Sequence, residues 1–174
     1  MTTVEPITYS EFEKLLRSSK RAWHLETRDT YNVAGEDEAF GKFLDGEPDD
    51  YEWMSGWLDF IREVTGSGVT VQRLRIVSVP HVPYTKWGFE IAPLSVEAGE
   101  DLRYLPRHFV ADIKLPAEDC WLFDDEKLVL SVFSEDGRTG GFAWESDPGL
   151  LEQYRAVRDR LWPLATPFGE YVTA

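Results

Sequence analysis

Residues 68–107 read GVTVQRLRIVSVPHVPYTKWGFEIAPLSVEAGEDLRYLPR, and the fold class turns on how this run is parsed. Its first part, from Val69 to Val79, is rich in β-branched residues and bounded by Gly66, Ser67 and Gly68 before it and Pro80 after it, the signature of a strand. Period-two alternation puts Val69, Val71, Arg73, Arg75, Val77 and Val79 on one face and Leu74 and Ile76 on the other. Both faces carry apolar side chains, so the strand is expected inside a sheet covered on both sides, where Arg73 and Arg75 need acidic or backbone partners. Past Pro80, Pro83 suits a first helical position, and Tyr84, Trp87 and Ile91 recur at helical spacing, with Pro93 ending or kinking the helix. Residues 94–99 complete a crossover, and residues 101–105 return as a short strand before Pro106. Strand, helix and strand within this length form a βαβ unit, whose ligands commonly sit beyond the carboxyl ends of the strands. His81, Tyr84, Arg103, Arg107 and His108 fall at or near such ends, and with Arg73, Arg75 and Trp87 they make up the candidate ligand-binding set.

Outward from this unit, Thr8 and Glu11 have capping-box spacing, and Ile7 with Phe12 forms the accompanying staple, so a helix starts there. Residues 22–28 alternate as a strand, with Trp23, Leu25 and Thr27 on one face and His24, Glu26 and Arg28 on a polar face. Residues 30–65 read as helical and aromatic. Pro48, Asp49 and Asp50 start the longer helix there, and Trp53, Trp57, Ile61 and Val64 form the face that buries against the sheet. The carboxylates of this region, Glu36 among them, read as a solvated face rather than a metal site, because no histidine or cysteine joins them at ligand spacing.

Residues 119–123, 127–133 and 141–144 alternate as strands joined by turn-forming residues at Asp124, Asp125 and 134–137, which makes an antiparallel meander. Asp147 as N-cap and Pro148 at the first turn open a last helix carrying Leu150, Tyr154, Val157 and Leu161 on its apolar face. Its Arg155, Arg158 and Arg160 alternate with acids and read as a salt-bridged surface. The expected architecture is α/β: a single domain over residues 1–174, a mixed sheet flanked by helices, with a C-terminal antiparallel meander and a terminal helix.

With 18 basic against 32 acidic residues and a net charge of −14, the surface disfavours direct nucleic-acid binding and leaves room for a basic protein partner. No apolar run is long enough for a membrane span, no leader is visible, and the single Cys120 offers no disulfide framework, which together predict a cytoplasmic protein. The phosphate-cradling P-loop, the HExxH zinc motif, the GxSxG elbow and the CxxC pair are all absent, so neither a cofactor nor a metal is expected. The enzyme alternative is a hydrolase or transferase for a phosphorylated or carboxylated small molecule. It uses His81 and His108 as acid and base, an arginine as anion binder, and Asp124 or Asp125 to orient an imidazole.

The run from Gln72 to Pro80, Tyr84 and Trp87, residues 98–107, residues 120–125 and residues 154–158 resembles an uncharacterised actinobacterial family whose members are often encoded near helix-turn-helix regulators. More weakly, Gly68-Val69, Leu105-Pro106 and Phe123-Asp124-Asp125 sit where phospholipase D-like domains place comparable features. The HxK pair of that superfamily is missing, since no histidine here has a lysine two residues on. The resemblances imply a non-catalytic accessory or sensor domain. Its partner would be a helix-turn-helix regulator, a small anionic ligand would bind at the strand ends, and exposed aromatics leave a homodimer open.

Overall fold

A computed structural model describes residues 4–134 and 136–174 and sets the β-branched run inside an eight-stranded mixed sheet, third from one edge. In chain order the elements are β1 (Val4–Ile7), α1 (Tyr9–Ser18), β2 (Arg21–Glu26), α2 (Asp37–Leu44), α3 (Ser55–Gly66), β3 (Thr70–Val77) and α4 (Pro83–Glu97). They continue with β4 (Asp101–Pro106), β5 (Cys120–Phe123), β6 (Lys127–Phe133), β7 (Thr139–Glu145), α5 (Pro148–Leu161), β8 (Thr166–Pro167) and α6 (Phe168–Tyr171). The spatial order is β1-β7-β6-β5-β2-β3-β4-β8. Strands β2, β3 and β4 run parallel, and every other pairing is antiparallel. The expected βαβ unit is β3-α4-β4, and the expected meander is β5-β6-β7. Two short edge strands, β1 and β8, carry no alternation long enough to be read from sequence.

Alternation along β3 sorts its side chains as expected. Val71 faces a core built with Phe12 and Leu16 of α1, Ile61 and Val64 of α3, and Trp87 of α4. Leu74 and Ile76 face the other core, closed by Tyr154 and Leu161 of α5. Helices on both faces make the sheet a buried middle layer, which is why its central strands tolerate so few solvated positions. Thr8 caps α1 with both bonds of the capping box in place. Asp124 and Asp125 turn β5 into β6 with φ of 52° and 62°, the left-handed pair a tight hairpin needs. One Asp124 oxygen accepts the backbone N–H of Lys20 and of Arg21, each at 2.8 Å, and so ties this turn to the start of β2.

Several local expectations need correction. Pro93 does not end α4: the helix runs on to Glu97. The missing amide is tolerated because Pro93 is exposed while Ile91, Ala92 and Leu94 pack inward on either side. Residues 48–50 do not begin the longer helix. Tyr51 takes φ 59° and a 3-10 turn (Glu52–Met54) precedes α3. Asp50 accepts the Glu52 N–H at 3.0 Å and Asp49 the Trp53 indole N–H at 2.8 Å, so these acids shape the turn instead of the helix. Trp53 stays partly exposed. Arg158 is not a surface residue: it is buried on α5 and pairs with Asp125 of the β5-β6 hairpin and with Asp159. Of the turn predicted at 134–137, Glu135 lies outside the described residues.

Candidate functional site

The parallel register of β2 against β3 places His24 beside Arg73 and Glu26 beside Arg75. The neighbouring pairings extend these into two rows across the sheet. One runs Trp121, His24, Arg73, Leu102, and the other Glu26, Arg75, Tyr104. Both lie on the face covered by α3 and α4, so a strip of charge crosses what would otherwise be apolar core.

Arg73 is paired with two carboxylates. Its Nη1 donates to Glu26 Oε1 at 2.8 Å and its Nε to Glu100, a carboxylate brought in by the turn after α4 and shielded from solvent. Arg75 is not. Among the described residues it makes no hydrogen bond, its Nε is buried without a partner, and its nearest carboxylate oxygen, on Glu26, is 3.6 Å away. A buried Nε–H without a partner is costly, since it has surrendered its water without replacing it, while the rest of the guanidinium faces the cavity. Burial alone would raise the Glu26 pKa, but Arg75 and Arg73 outweigh it and hold the carboxyl down at about 2. Burial drives the His24 imidazole the other way, to about 3, with Glu26 opposing and the two arginines assisting. His24 is therefore neutral at physiological pH, stacked on Trp121 at 4.2 Å between ring centres.

Above this strip lies a cavity of about 440 Å³ walled by Phe12, Trp57, Tyr84, Trp121 and Phe142 and floored by His24, Glu26, Arg73 and Arg75. A second lobe of about 260 Å³ runs under α4 past Gly88 toward Tyr104. Glu36, Trp57, Arg73 and Arg75 line both lobes. Gly88 leaves the second lobe open: a Cβ there would sit 3.6 Å from Arg75 Nη1 and 3.8 Å from the Tyr104 hydroxyl. At the rim Tyr84 donates to Glu36 Oε2 at 2.7 Å, and Tyr31 donates to Asp119. Burial raises the pKa of both carboxyls, against the hydrogen bond each accepts. Combined volume, aromatic walls and a few convergent polar groups are the ordinary features of a small-molecule site.

Of the residues singled out from sequence, Arg73, Arg75 and Tyr84 come together here, with Trp87 packed behind Tyr84 at 5.5 Å between ring centres. The others lie apart. His81 meets the Tyr171 hydroxyl at 2.6 Å through Nε2 and packs edge-on to Phe89. Arg103 is on the opposite face of β4, over the Trp162 ring and bonded to Asp101. Arg107 ties strand ends together through Thr27 O at 2.6 Å and Ile76 O at 3.3 Å. His108 is exposed beside Phe109 and lines, with Arg107 and Ser78, an open cleft of about 550 Å³ at the ends of β3 and β4. That cleft does not include His81, and Asp124 and Asp125 serve the β5-β6 hairpin, away from either imidazole's hydrogen bonds. Sequence reasoning missed His24, Glu26, Glu36, Glu100 and Asp119 as site residues. His24 and Glu26 did show in the alternation of β2, but as a polar face; only the sheet's burial makes that face a cavity floor.

A family model described as a domain of unknown function, DUF6879, matches residues 10–173. No curated protein matches the chain. Among solved structures, the chain is similar to Nuc from Salmonella typhimurium, a phospholipase D family member. The identity is 9%, the TM-score 0.52, and the match covers 96% of this chain and 97% of that one. At that identity the likeness is one of fold.

Proposed function

The chain belongs to the DUF6879 family, and from that premise we propose that it is a sensor or accessory domain that holds a small molecule in the aromatic cavity and acts through a protein partner. The observation carrying the ligand half is Arg75: a guanidinium under a cavity, with donors that no described residue takes up. A ligand with an anionic head group would fill that role, because a charge-assisted, bidentate contact is what a free guanidinium offers. Arg73 is already bonded to Glu26 and Glu100, which ties it to the floor of the cavity. The partner half rests on the acidic surface, which favours a basic partner such as a helix-turn-helix regulator acting in the cytoplasm. The alternative, a hydrolase or transferase working through His81 and His108, has weaker support, because the two imidazoles engage different neighbours.

Native mass spectrometry tests the ligand half. The protein is incubated with a small-molecule extract of its native host and compared with Arg75→Met. An adduct of small-molecule mass on the wild type and its absence from the variant is the expected result. No adduct, or an equal one on both proteins, refutes the reading.

A further inference from the structure

The reading of the cavity as a ligand site leaves open what the ligand is, and the charges facing the cavity narrow it. Arg73 is neutralised by Glu26 and Glu100. What remains is Arg75, with donors free, and the carboxylates Glu36 and Asp119, of which Asp119 is taken up by Thr27 and Tyr31. Glu36 gives one oxygen to Tyr84, and its Oε1 has no hydrogen-bond partner among the described residues. Arg75 and Glu36 line both lobes, yet they form no ion pair with each other. Opposite charges that share a desolvated space without touching favour a guest able to answer each of them. A purely anionic guest would satisfy Arg75 but bring a second negative charge toward Glu36 and Asp119. A purely cationic one would leave Arg75 as it is. The cavity is also walled by Phe12, Trp57, Trp121 and Phe142, which ask for an apolar or aromatic body.

We propose that the cavity binds a zwitterionic α-amino acid with a large apolar side chain. Its carboxylate is held by Arg75, its ammonium group by Glu36, and its side chain lies among the aromatic walls. This rests on the ligand reading above and adds the class of molecule. A free amino acid is a chemically sensible input for a sensor domain, and no covalent step is involved.

Isothermal titration calorimetry of the full chain tests it with L-tryptophan, L-phenylalanine and L-leucine. Tryptamine serves as the cation-only analogue, 3-indolepropionate as the anion-only analogue, and glycine as the zwitterion without a body. At least one of the three large amino acids should bind at least tenfold more tightly than either single-charge analogue and than glycine. Glu36→Gln keeps an acceptor for Tyr84 and removes the charge; it should weaken the amino acid about tenfold and bind 3-indolepropionate more tightly than the wild type does. Should Arg75→Met fail to fold, Gly88→Ala provides the second variant, narrowing the lobe beside Arg75 Nη1 and weakening every guest. Single-charge analogues binding as well as the amino acids, a Glu36→Gln variant with unaltered selectivity, or no binding by any of the panel overturns the proposal. An extract-derived adduct that depends on Arg75 and that none of these amino acids displaces would sink this assignment while leaving the cavity a ligand site. Loss of that adduct altogether would sink both.

Discussion

Replacing Glu26 by Gln tests the charge strip directly, because Glu26 is the one carboxylate shared by Arg73, at 2.8 Å, and Arg75, at 3.6 Å. Its pKa falls from an ordinary 4.5 to about 2 in the folded protein, which at about 1.36 kcal/mol per pKa unit corresponds to about 3 kcal/mol of stability at neutral pH. That agrees with the ~3–5 kcal/mol typical of removing one member of a buried charge pair. The sign is set by the depressed pKa: the stabilisation is complete above the unfolded value near 4.5 and drains away as pH falls through about 2. The linkage relation leaves about 1.4 kcal/mol of it at pH 3. Urea unfolding followed by tryptophan fluorescence, on wild type and Glu26→Gln at pH 7 and at pH 3, should therefore show a gap that shrinks by about half. A gap below ~1 kcal/mol at pH 7, or one of equal size at both pH values, would mean that Glu26 does not hold the two guanidinium groups as described.

Further outcomes follow from single contacts. Burial keeps His24 neutral down to about pH 3, so the folded state binds fewer protons than the unfolded one between pH 6.5 and 3, and stability declines with acid across that window; His24→Gln should flatten the slope, and an unaltered slope counts against the imidazole being buried and neutral. Gly88→Ala places a methyl group at ordinary contact distance in the middle of α4, so chemical denaturation should find the variant more stable by about 0.5–1 kcal/mol, and a loss of stability would show that α4 has no room above Arg75. Gly99 has φ +115°, and a Cβ on it would lie 2.4 Å from Thr65 Oγ1; Gly99→Ala should cost about 2 kcal/mol or more. Adding Thr65→Ala removes the Oγ1 and Cγ2 contacts but leaves the Thr65 Cβ 2.8 Å away, so it should recover only part of the loss, and full recovery would remove backbone strain from the account.

What could be read from the sequence was what depends on neighbours a few residues away. The capping box at Thr8 and Glu11 closes within one turn, the hairpin acids Asp124 and Asp125 carry their own backbone preference, and β3 separates Arg73 and Arg75 from Leu74 and Ile76 by strict alternation. The misreadings came where a distant contact overrides a local rule. Pro93 looked like a helix end until the packing on both sides of it is considered. Arg158 looked like one charge in an exposed ladder, and only the arrival of Asp125 from the far hairpin makes its burial tolerable. The site suffered most, because its parts are far apart in the chain: Glu100 reaches Arg73 across 27 positions and Glu26 across 47. Periodicity and capping rules act over a turn or two and cannot pair residues so far apart.

The strip is also hard to account for by stability alone. A face closed by Trp57, Ile61, Trp87 and Ile91 could pack apolar residues at positions 26, 73, 75 and 100, and such replacements of buried ion pairs are commonly neutral or stabilising. Arg73 can be assigned a structural task, since it ties β2 to the turn after α4 through two carboxylates. Arg75 does less of this: its charge helps to hold Glu26 ionised from 3.6 Å, but it makes no hydrogen bond to a described residue and its Nε is buried without a partner. Conflicts between local chemistry and burial tend to survive where something other than folding uses them. The arginine with unused donors is thus one that faces both lobes, while its neighbour Arg73 takes the hydrogen bonds of Glu26 and Glu100.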